Sequence, residues 1–268
     1  MLAGFGYYFR IWESSPDDKI LKVGFLYEND DATPYAFNFT LAQKAMEKEF
    51  GDRVAVYSRT NVREDQTAEP LRELIRYGCR IIFCNTNSSQ VHEIAAEYPN
   101  IQFCQVSSFN RDGLVEIPPN FHTFNAKTFQ CRYVSGIVAG MKLRELLDNG
   151  TITPDQAVIG YIGAFPNAEI ISGFTAFLLG ARSVAPETVM RVSFTHAWNN
   201  YSLEKAHARK LIDDGCVIIS QHSGTVAVAV ACEEAAGDHL VFHIGFNRSM
   251  RDVAPKTSLI SARTNWAP

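Results

Sequence analysis

Short apolar runs alternate with longer amphipathic segments along almost the whole chain of 268 residues. The first run, Lys22–Tyr27, is followed by a segment with helical spacing from about Pro34 to Phe50, which Gly51 ends. Three more runs follow, separated by two more predicted helices, at 54–57, 81–83 and 101–106. Because strands joined by helices pair in parallel through right-handed crossovers, the alternation predicts an α/β fold with a parallel sheet covered on both faces.

The same alternation begins again after a break at Pro118-Pro119. A helix predicted from about Lys127 to Leu147 carries Gly136 and Gly140, which we expect to allow close packing on a sheet. Strand-like runs then recur, with helical segments between the first four, at 157–162, 190–194, 217–219, 240–244 and 258–261. The sequence therefore predicts two doubly wound parallel-sheet domains.

The predicted domains are discontinuous in sequence. We assign residues 20–124 plus 258–268 to an N-terminal domain, 125–257 to a C-terminal domain and 1–19 to an N-terminal extension, with chain crossings near 124, 250 and 257. The last apolar run has no helix after it, so we expect a further element beyond it.

Composition limits the classes of partner. Hydrophobic residues make up 46% of the chain and charged residues 20%, which is typical of a globular protein and too apolar for a disordered one. The net charge of -4 offers no basic excess for a nucleic-acid backbone or an anionic membrane. No apolar run approaches the roughly 20 residues that span a bilayer, and the first residues lack the pattern of a signal peptide. We therefore expect no nucleic-acid partner and no membrane insertion of this chain.

The six cysteines lie mostly within apolar runs, with no Cys-x-x-Cys pair and no Cys/His spacing suited to zinc. We interpret them as buried free thiols, which favours a reducing compartment only weakly.

Aromatic and amide side chains are concentrated where predicted strands end. In two facing parallel-sheet domains, ligands are expected in the cleft at the carboxyl ends of the strands. Flat rings with amide donors and acceptors suit a planar, largely uncharged ligand. For any single ring, an equally good interpretation is that it packs against the core and fixes its loop there. The candidate ligand-binding residues are Tyr35, Phe37, Asn85, Thr86, Phe124, Asn125, Phe165, Trp198, Gln221, His222, Asn247 and Trp266.

Motifs for catalysis are missing where an enzyme of this class would carry them. The sequence has no Gly-x-Ser-x-Gly, no His-Glu-x-x-His and no glycine-rich phosphate loop after the first strand. The carboxylates of Glu28, Asp30 and Asp31 are suitable ligands for a metal ion. A solvated turn before a helix is the better explanation of this acidic cluster. We predict a protein that is not an enzyme, with no cofactor and no metal.

Several motifs in collinear order resemble a known family. They include Gly160-Tyr-Ile-Gly-Ala-Phe-Pro166, Gly173-Phe-Thr-Ala-Phe-Leu-Leu-Gly-Ala-Arg-Ser183, Ile219-Ser-Gln-His-Ser223, Gly245-Phe-Asn-Arg-Ser-Met250 and Asn265-Trp-Ala-Pro268. The chain from 21 to 268 is similar to the BMP (basic membrane protein, Med or PnrA-like) substrate-binding proteins of ABC importers. The match is specific in the second half and looser in the first.

The resemblance implies a type I periplasmic-binding-protein fold whose two domains close, as on a hinge, on a purine nucleoside or nucleobase. It also implies a lipid-anchored extracytoplasmic protein that serves an ABC permease. The family's ligand-contacting positions fall on Tyr35, Phe165 and Trp198 and on the Gln221-His222 pair.

Two departures from the family concern the ligand. The family usually has an acidic residue where Asn247 stands, so recognition of ribose hydroxyls is weaker here than the resemblance implies. The loop after the third strand, Asn85-Thr-Asn-Ser-Ser89, is polar where the family has glycine and an aromatic residue. A third departure concerns targeting: the family's signal peptide with its lipid-modified cysteine is missing.

Three functional hypotheses follow. The first is a solute-binding protein for a purine-like ligand in ABC-type import. The second keeps the fold and makes the chain a ligand-sensing domain of a regulatory protein, in the cytoplasm, which the cysteines and the missing signal sequence motivate. A nucleoside hydrolase ranks last, because no nucleophile, base or metal set is evident.

Overall fold

The computed structural model describes residues 20–106 and 116–266. The predicted extension 1–19, part of the predicted break and residues 267–268 lie outside the described residues. Two five-stranded parallel sheets with flanking helices confirm the predicted α/β fold class. The chain divides into two compact units, which we describe separately.

The first unit contains the sheet ordered β2-β1-β3-β4-β5. All four strand pairings in it are parallel. Its strands are β1 (Leu21–Leu26), β2 (Val54–Arg59), β3 (Ile81–Cys84), β4 (Gln102–Val106) and β5 (Phe121–Phe124). Its helices are α1 (Pro34–Phe50), α2 (Ala68–Arg76) and α3 (Gln90–Glu97). The first half of α1, together with residues 30–33, groups with the second unit rather than the first.

The second unit contains the sheet ordered β10-β9-β8-β6-β7, again with every pairing parallel. Its strands are β6 (Val158–Gly163), β7 (Val189–Phe194), β8 (Ile218–His222), β9 (Phe242–Phe246) and β10 (Ser258–Ala262). Its helices are α4 (Thr128–Asp148), α5 (Ala168–Arg182), α6 (Tyr201–Asp213) and α7 (Ala227–Ala235).

Strand β10 departs from the predicted domain boundary, which gave 258–268 to the N-terminal domain. It pairs in parallel with β9, from Ser258 opposite His243 to Ala262 opposite Phe246. An apolar run that finds an unpaired strand edge next to it is stabilised by completing that sheet. This segment therefore belongs to the second unit.

The central strands of the second sheet are buried on both faces. Every residue of β6 and β8 is buried, whereas the edge strand β7 is not. Side chains alternate between two cores, with Tyr161 packed with residues of α4 and α5, and Ile162 with residues of α6 and α7. The near-continuous apolar strands of the sequence reflect this two-sided cover.

Helices α4 and α5 cross at backbone contact distance. A Cβ on Gly136 would overlap the carbonyl of Phe177, one on Gly140 the carbonyl of Ala181, and one on Gly180 the carbonyl of Tyr133. Gly136 and Gly140 allow close packing, as predicted, but the prediction that they pack on a sheet was wrong, because they face helix α5.

The six cysteines are free thiols, as predicted. Cys79, Cys84, Cys216 and Cys232 are buried, while Cys104 and Cys131 are partly buried.

Candidate functional site

The carboxyl ends of β6 to β10 lie along one edge of the second sheet, since all five strands run in the same direction. We call the residues that follow these ends the carboxyl edge. Non-glycine residues with positive φ among the described residues also follow strand ends: Asn61 (φ 58°) after β2, His196 (φ 53°) after β7 and Asn247 (φ 65°) after β9. Such backbone costs about 1–3 kcal/mol and clusters at functional sites, which directs attention to these loops.

Two aromatic rings, which we call the ring pair, stand at the carboxyl edge. Phe165, two residues after β6, and Trp198, four residues after β7, have ring centroids 5.8 Å apart with planes at 60°. His196 joins them, 6.3 Å from the Phe165 ring. Trp198 is 38% exposed, so much of its ring faces solvent.

The loop that carries Trp198 is fixed by its backbone. The Gly224 amide donates a hydrogen bond to the carbonyl of Trp198 at 2.6 Å, and a Cβ on Gly224 would overlap the Asn199 side chain. Thr195 Oγ1 also donates to the carbonyl of Ala197, at 2.8 Å. The ring of Trp198 is therefore held in place without being buried.

Beside the ring pair, β6, β8 and α5 bring together three polar groups. The Tyr161 hydroxyl lies 3.4 Å from His222 Nδ1, and His222 Nε2 lies 3.7 Å from Glu169 Oε1. Burial and the nearby guanidinium of Arg132 lower the pKa of His222 to about 4, so the ring is neutral at pH 7. A neutral imidazole that accepts from Tyr161 and carries its proton on Nε2, towards Glu169, fits this arrangement.

Glu169 stays ionised in this setting. Its interactions with His222 and with Arg132 hold the pKa of the carboxyl below its usual range, against the effect of burial. Its side chain is 41% exposed, so part of the carboxylate is open to a further hydrogen-bond donor.

Arg132, near the start of α4, is 0% exposed. Its guanidinium carbon lies 3.5 Å from the centroid of the Phe246 ring and 5.6 Å from that of Tyr161. None of its three guanidinium nitrogens has a hydrogen-bond partner among the residues that the structure describes. Burial lowers its pKa. We call Arg132, Tyr161, Glu169, His222 and Phe246 the Arg132 cluster.

A third group lies where the start of α1 meets the loops after β9 and β10. Asn38 Nδ2 donates to the carbonyl of Thr264 at 2.9 Å and to Asn247 Oδ1 at 3.4 Å. The rings of Phe39 and Trp266 stack at 4.6 Å, and the Tyr35 ring meets Phe39 edge-on at 5.1 Å.

Phe37 belongs to the same half of α1. The Arg248 guanidinium lies over its ring at 5.4 Å. Phe37 therefore contacts a residue that follows β9, and Trp266, which follows β10, contacts Phe39 of α1.

Gln221, which the resemblance places at the ligand, is hydrogen-bonded to neighbouring groups of the second unit. It is 1% exposed; its Nε2 donates to the carbonyls of Thr225 (2.6 Å) and Ser223 (3.3 Å), and its Oε1 lies 3.2 Å from His243 Nε2. In this arrangement Gln221 shapes the loop after β8.

The predicted residues of the first unit are of two kinds. Asn85 is buried and its Oδ1 accepts from the backbone amide of Glu28 at 2.8 Å, while Thr86 is 0% exposed and its carbonyl accepts from Gln105 Nε2 at 2.8 Å. Phe124 meets the ring of Phe83 edge-on at 6.3 Å, and Asn125 is exposed.

Sequence reasoning missed Glu169 and Arg132. Glu169 reads as an ordinary acidic residue in the first turn of a helix, and Arg132 as a surface cation within an amphipathic segment. The available signal for Arg132 was its position among Ser135, Gly136 and Ala139, which are buried positions of the same helix.

Solved structures of known proteins share this fold. A solute-binding protein of an ABC transporter system from Aeropyrum pernix K1 superposes with a TM-score of 0.72 at 17% identity, over 91% of this chain and 67% of that one. The two parallel sheets are thus those of the periplasmic solute-binding fold.

The family follows from the sequence. The model of the Bmp family, described as ABC transporter substrate-binding protein PnrA-like, matches residues 31–268, and the chain belongs to this family. Purine-binding protein of Brucella abortus is 26% identical over 264 residues, covering 97% of this chain and 69% of that protein. A putative ABC transporter glucose-binding protein of Haloferax volcanii is 29% identical over 188 residues, 69% of this chain and 43% of that protein.

Membership confirms the predicted family and makes the chain a substrate-binding protein of the ABC transporter class, which implies a small-molecule ligand and a permease partner. The family consists of substrate-binding proteins rather than enzymes, and they act outside the cytoplasm. Within the described residues, no helix has the length and apolar character needed to cross a bilayer.

Proposed function

We propose that this protein captures a purine nucleobase or nucleoside outside the cytoplasm and delivers it to an ABC permease. The observation that carries the proposal is the ring pair, a half-exposed tryptophan held beside a phenylalanine at the carboxyl edge of the second sheet. A base stacked on such a ring gains about 1–3 kcal/mol. The purine-binding relative, similar over 97% of this chain, supports the same ligand class.

The geometry of the ring pair defines how a base stacks there. Because the rings already lie 5.8 Å apart at 60°, no space for a third ring remains between them. The base therefore stacks on the outward face of Trp198, with Phe165 supporting the opposite side. His196, which adopts left-handed backbone, adds a polar edge beside the stacked base.

The other proposed ligand contacts lie on the first half of α1 and on the loops after β9 and β10. Tyr35 and Phe37 present partly buried rings, and Asn247 presents an amide. Since the Asn247 oxygen is 3.4 Å from the Asn38 amide, it is a weaker acceptor for sugar hydroxyls than a carboxylate would be. This favours a free nucleobase over a nucleoside.

A thermal-shift panel tests the ligand class. It should contain adenine, guanine, hypoxanthine, adenosine, guanosine, inosine, riboflavin and glucose, the last because a relative is named for it. A purine at about 100 times its Kd should stabilise the protein by roughly 2.7 kcal/mol, with no shift from glucose. A shift with glucose and none with any purine at millimolar concentration would overturn the proposal.

A further inference from the structure

The Arg132 cluster holds a charge that the fold alone does not explain. Removing a guanidinium from water without hydrogen bonds is costly, and buried arginines are ordinarily paired. All three nitrogens of Arg132 are buried without partners among the described residues, and the Phe246 ring at 3.5 Å compensates only part of that cost. An apolar side chain of similar length would suit the same space at lower cost, so Arg132 is best explained by the charge it provides.

The carboxylate on which that charge acts is Glu169. The two residues are linked through their neighbours: Arg132 stacks on Phe246, the Phe246 ring lies 5.4 Å from the His222 ring, and His222 Nε2 lies 3.7 Å from Glu169. His222 stays neutral at pH 7 and does not compensate the carboxylate with a full charge. The pKa of Glu169 is lowered first by its contact with His222 and further by the charge of Arg132, so Arg132 is a buried cation that favours the ionised form of this 41% exposed carboxyl.

The position of Glu169 fits a ligand contact. It lies four residues after Phe165 on the same segment, and His222, the last residue of β8, pairs with Gly163, the last residue of β6. A Cβ on Gly173 would come within 3.0 Å of His222 Nδ1, so α5 approaches the strand ends closely and holds Glu169 at the carboxyl edge.

From this geometry we propose that Glu169 accepts hydrogen bonds from N–H groups on the edge of the bound purine, and that Arg132 is a positioning residue whose charge favours the ionised form of Glu169 without touching the ligand. This inference rests on the proposed function. An ionised carboxylate accepts and never donates, so it matches an edge with two adjacent N–H donors. Guanine has such an edge in N1–H and its 2-amino group. Hypoxanthine offers one donor there, and adenine places the N1 lone pair beside its amino group.

Equilibrium dialysis with radiolabelled guanine, hypoxanthine and adenine tests the role of Glu169. The wild-type protein should bind them in that order. Glu169→Gln should lower affinity for guanine tenfold or more and shift the preference towards adenine, because an amide offers a donor beside an acceptor. Glu187→Gln is the matched control, since Glu187 lies just before β7 at the opposite edge of the same sheet, in an ion pair with Arg144.

The outcomes separate this inference from the proposed function. Purine binding by the wild type with guanine affinity unchanged within twofold in Glu169→Gln would overturn the role of Glu169 and leave the function intact. No purine binding by the wild type would refute both.

Arg132→Met tests the positioning role through the pH dependence of guanine binding, which a purely structural role of Arg132 would leave unchanged. The titratable groups that interact with Glu169 are Arg132 from α4, Tyr161 from β6 and His222 from β8. Without the guanidinium, the acid limb of guanine binding should move to higher pH by at least half a unit, while the protein melts no lower than the wild type. An unchanged acid limb and unchanged affinity would show that Arg132 has no part in binding.

Discussion

The two sheets share one design, but their strand ends differ in what they offer to a ligand. In the first sheet, Asn85 follows β3 and Gln105 is the last residue but one of β4, and both polar side chains are buried and bind the backbone of neighbouring loops. At the carboxyl edge of the second sheet, Trp198 and Glu169 are held by neighbouring residues and remain partly exposed. Amides at strand ends can therefore be loop anchors, and we expect residues that are held in place and yet partly exposed to be the better candidates for ligand contact.

Low pH should destabilise the second unit more than the first, because two buried histidines, His222 and His243, lie in the second unit. The pKa of His222 falls to about 4 and that of His243 to about 3, chiefly through burial, against 6.5 in the unfolded chain. Their contribution to stability is complete above pH 6.5 and is lost as the pH falls below it, at about 1.4 kcal/mol per pH unit for each histidine down to its folded pKa.

Urea unfolding between pH 7 and 4.5 measures this loss. His243→Gln, whose amide nitrogen takes the position of the ring Nε2 opposite Gln221 Oε1, should remove about half of the slope assigned to the two histidines. An equal slope in wild type and variant would contradict the assignment.

Gln105→Leu should destabilise the first unit without affecting binding. The substitution keeps the volume but leaves the carbonyls of Thr86 and Ser88, now bound at 2.8 and 3.0 Å, without their buried donor. We expect a loss of about 2–4 kcal/mol in the free energy of unfolding. If the folded variant instead bound purine tenfold more weakly, the loop after β3 would be a ligand contact. The proposed difference between the two sheets would then be wrong.

The sequence was sufficient to predict the parallel sheets, because apolar runs separated by amphipathic helices allow few other folds. It could not place β10, since an apolar run of five residues fits the edge of either sheet. It could not separate Gln221 from Trp198 either, because both are polar or aromatic residues near strand ends and only tertiary contacts show which one is satisfied internally. The closure of two domains on a ligand stays a prediction.

Asn247→Asp sharpens the description of the carboxyl edge. Aspartate tolerates left-handed backbone, so the substitution suits the φ of 65°. A carboxylate there accepts stronger hydrogen bonds from sugar hydroxyls than the amide does. Affinity for guanosine relative to guanine should rise roughly tenfold, or about 1.4 kcal/mol, in calorimetric titrations. An unchanged ratio would place the ribose elsewhere or exclude it.

The most direct test of the ring pair as a purine platform is calorimetric titration of Trp198→Ala, with Trp198→Phe as the control that keeps a ring and Tyr35→Ala as a second probe. We expect a tenfold or greater loss of affinity in Trp198→Ala, about 1.4 kcal/mol, and partial retention in Trp198→Phe. The change in melting temperature should be small, because Trp198 is 38% exposed. Unchanged affinity in Trp198→Ala, or a core-like loss of several kcal/mol in stability with binding intact, would contradict it.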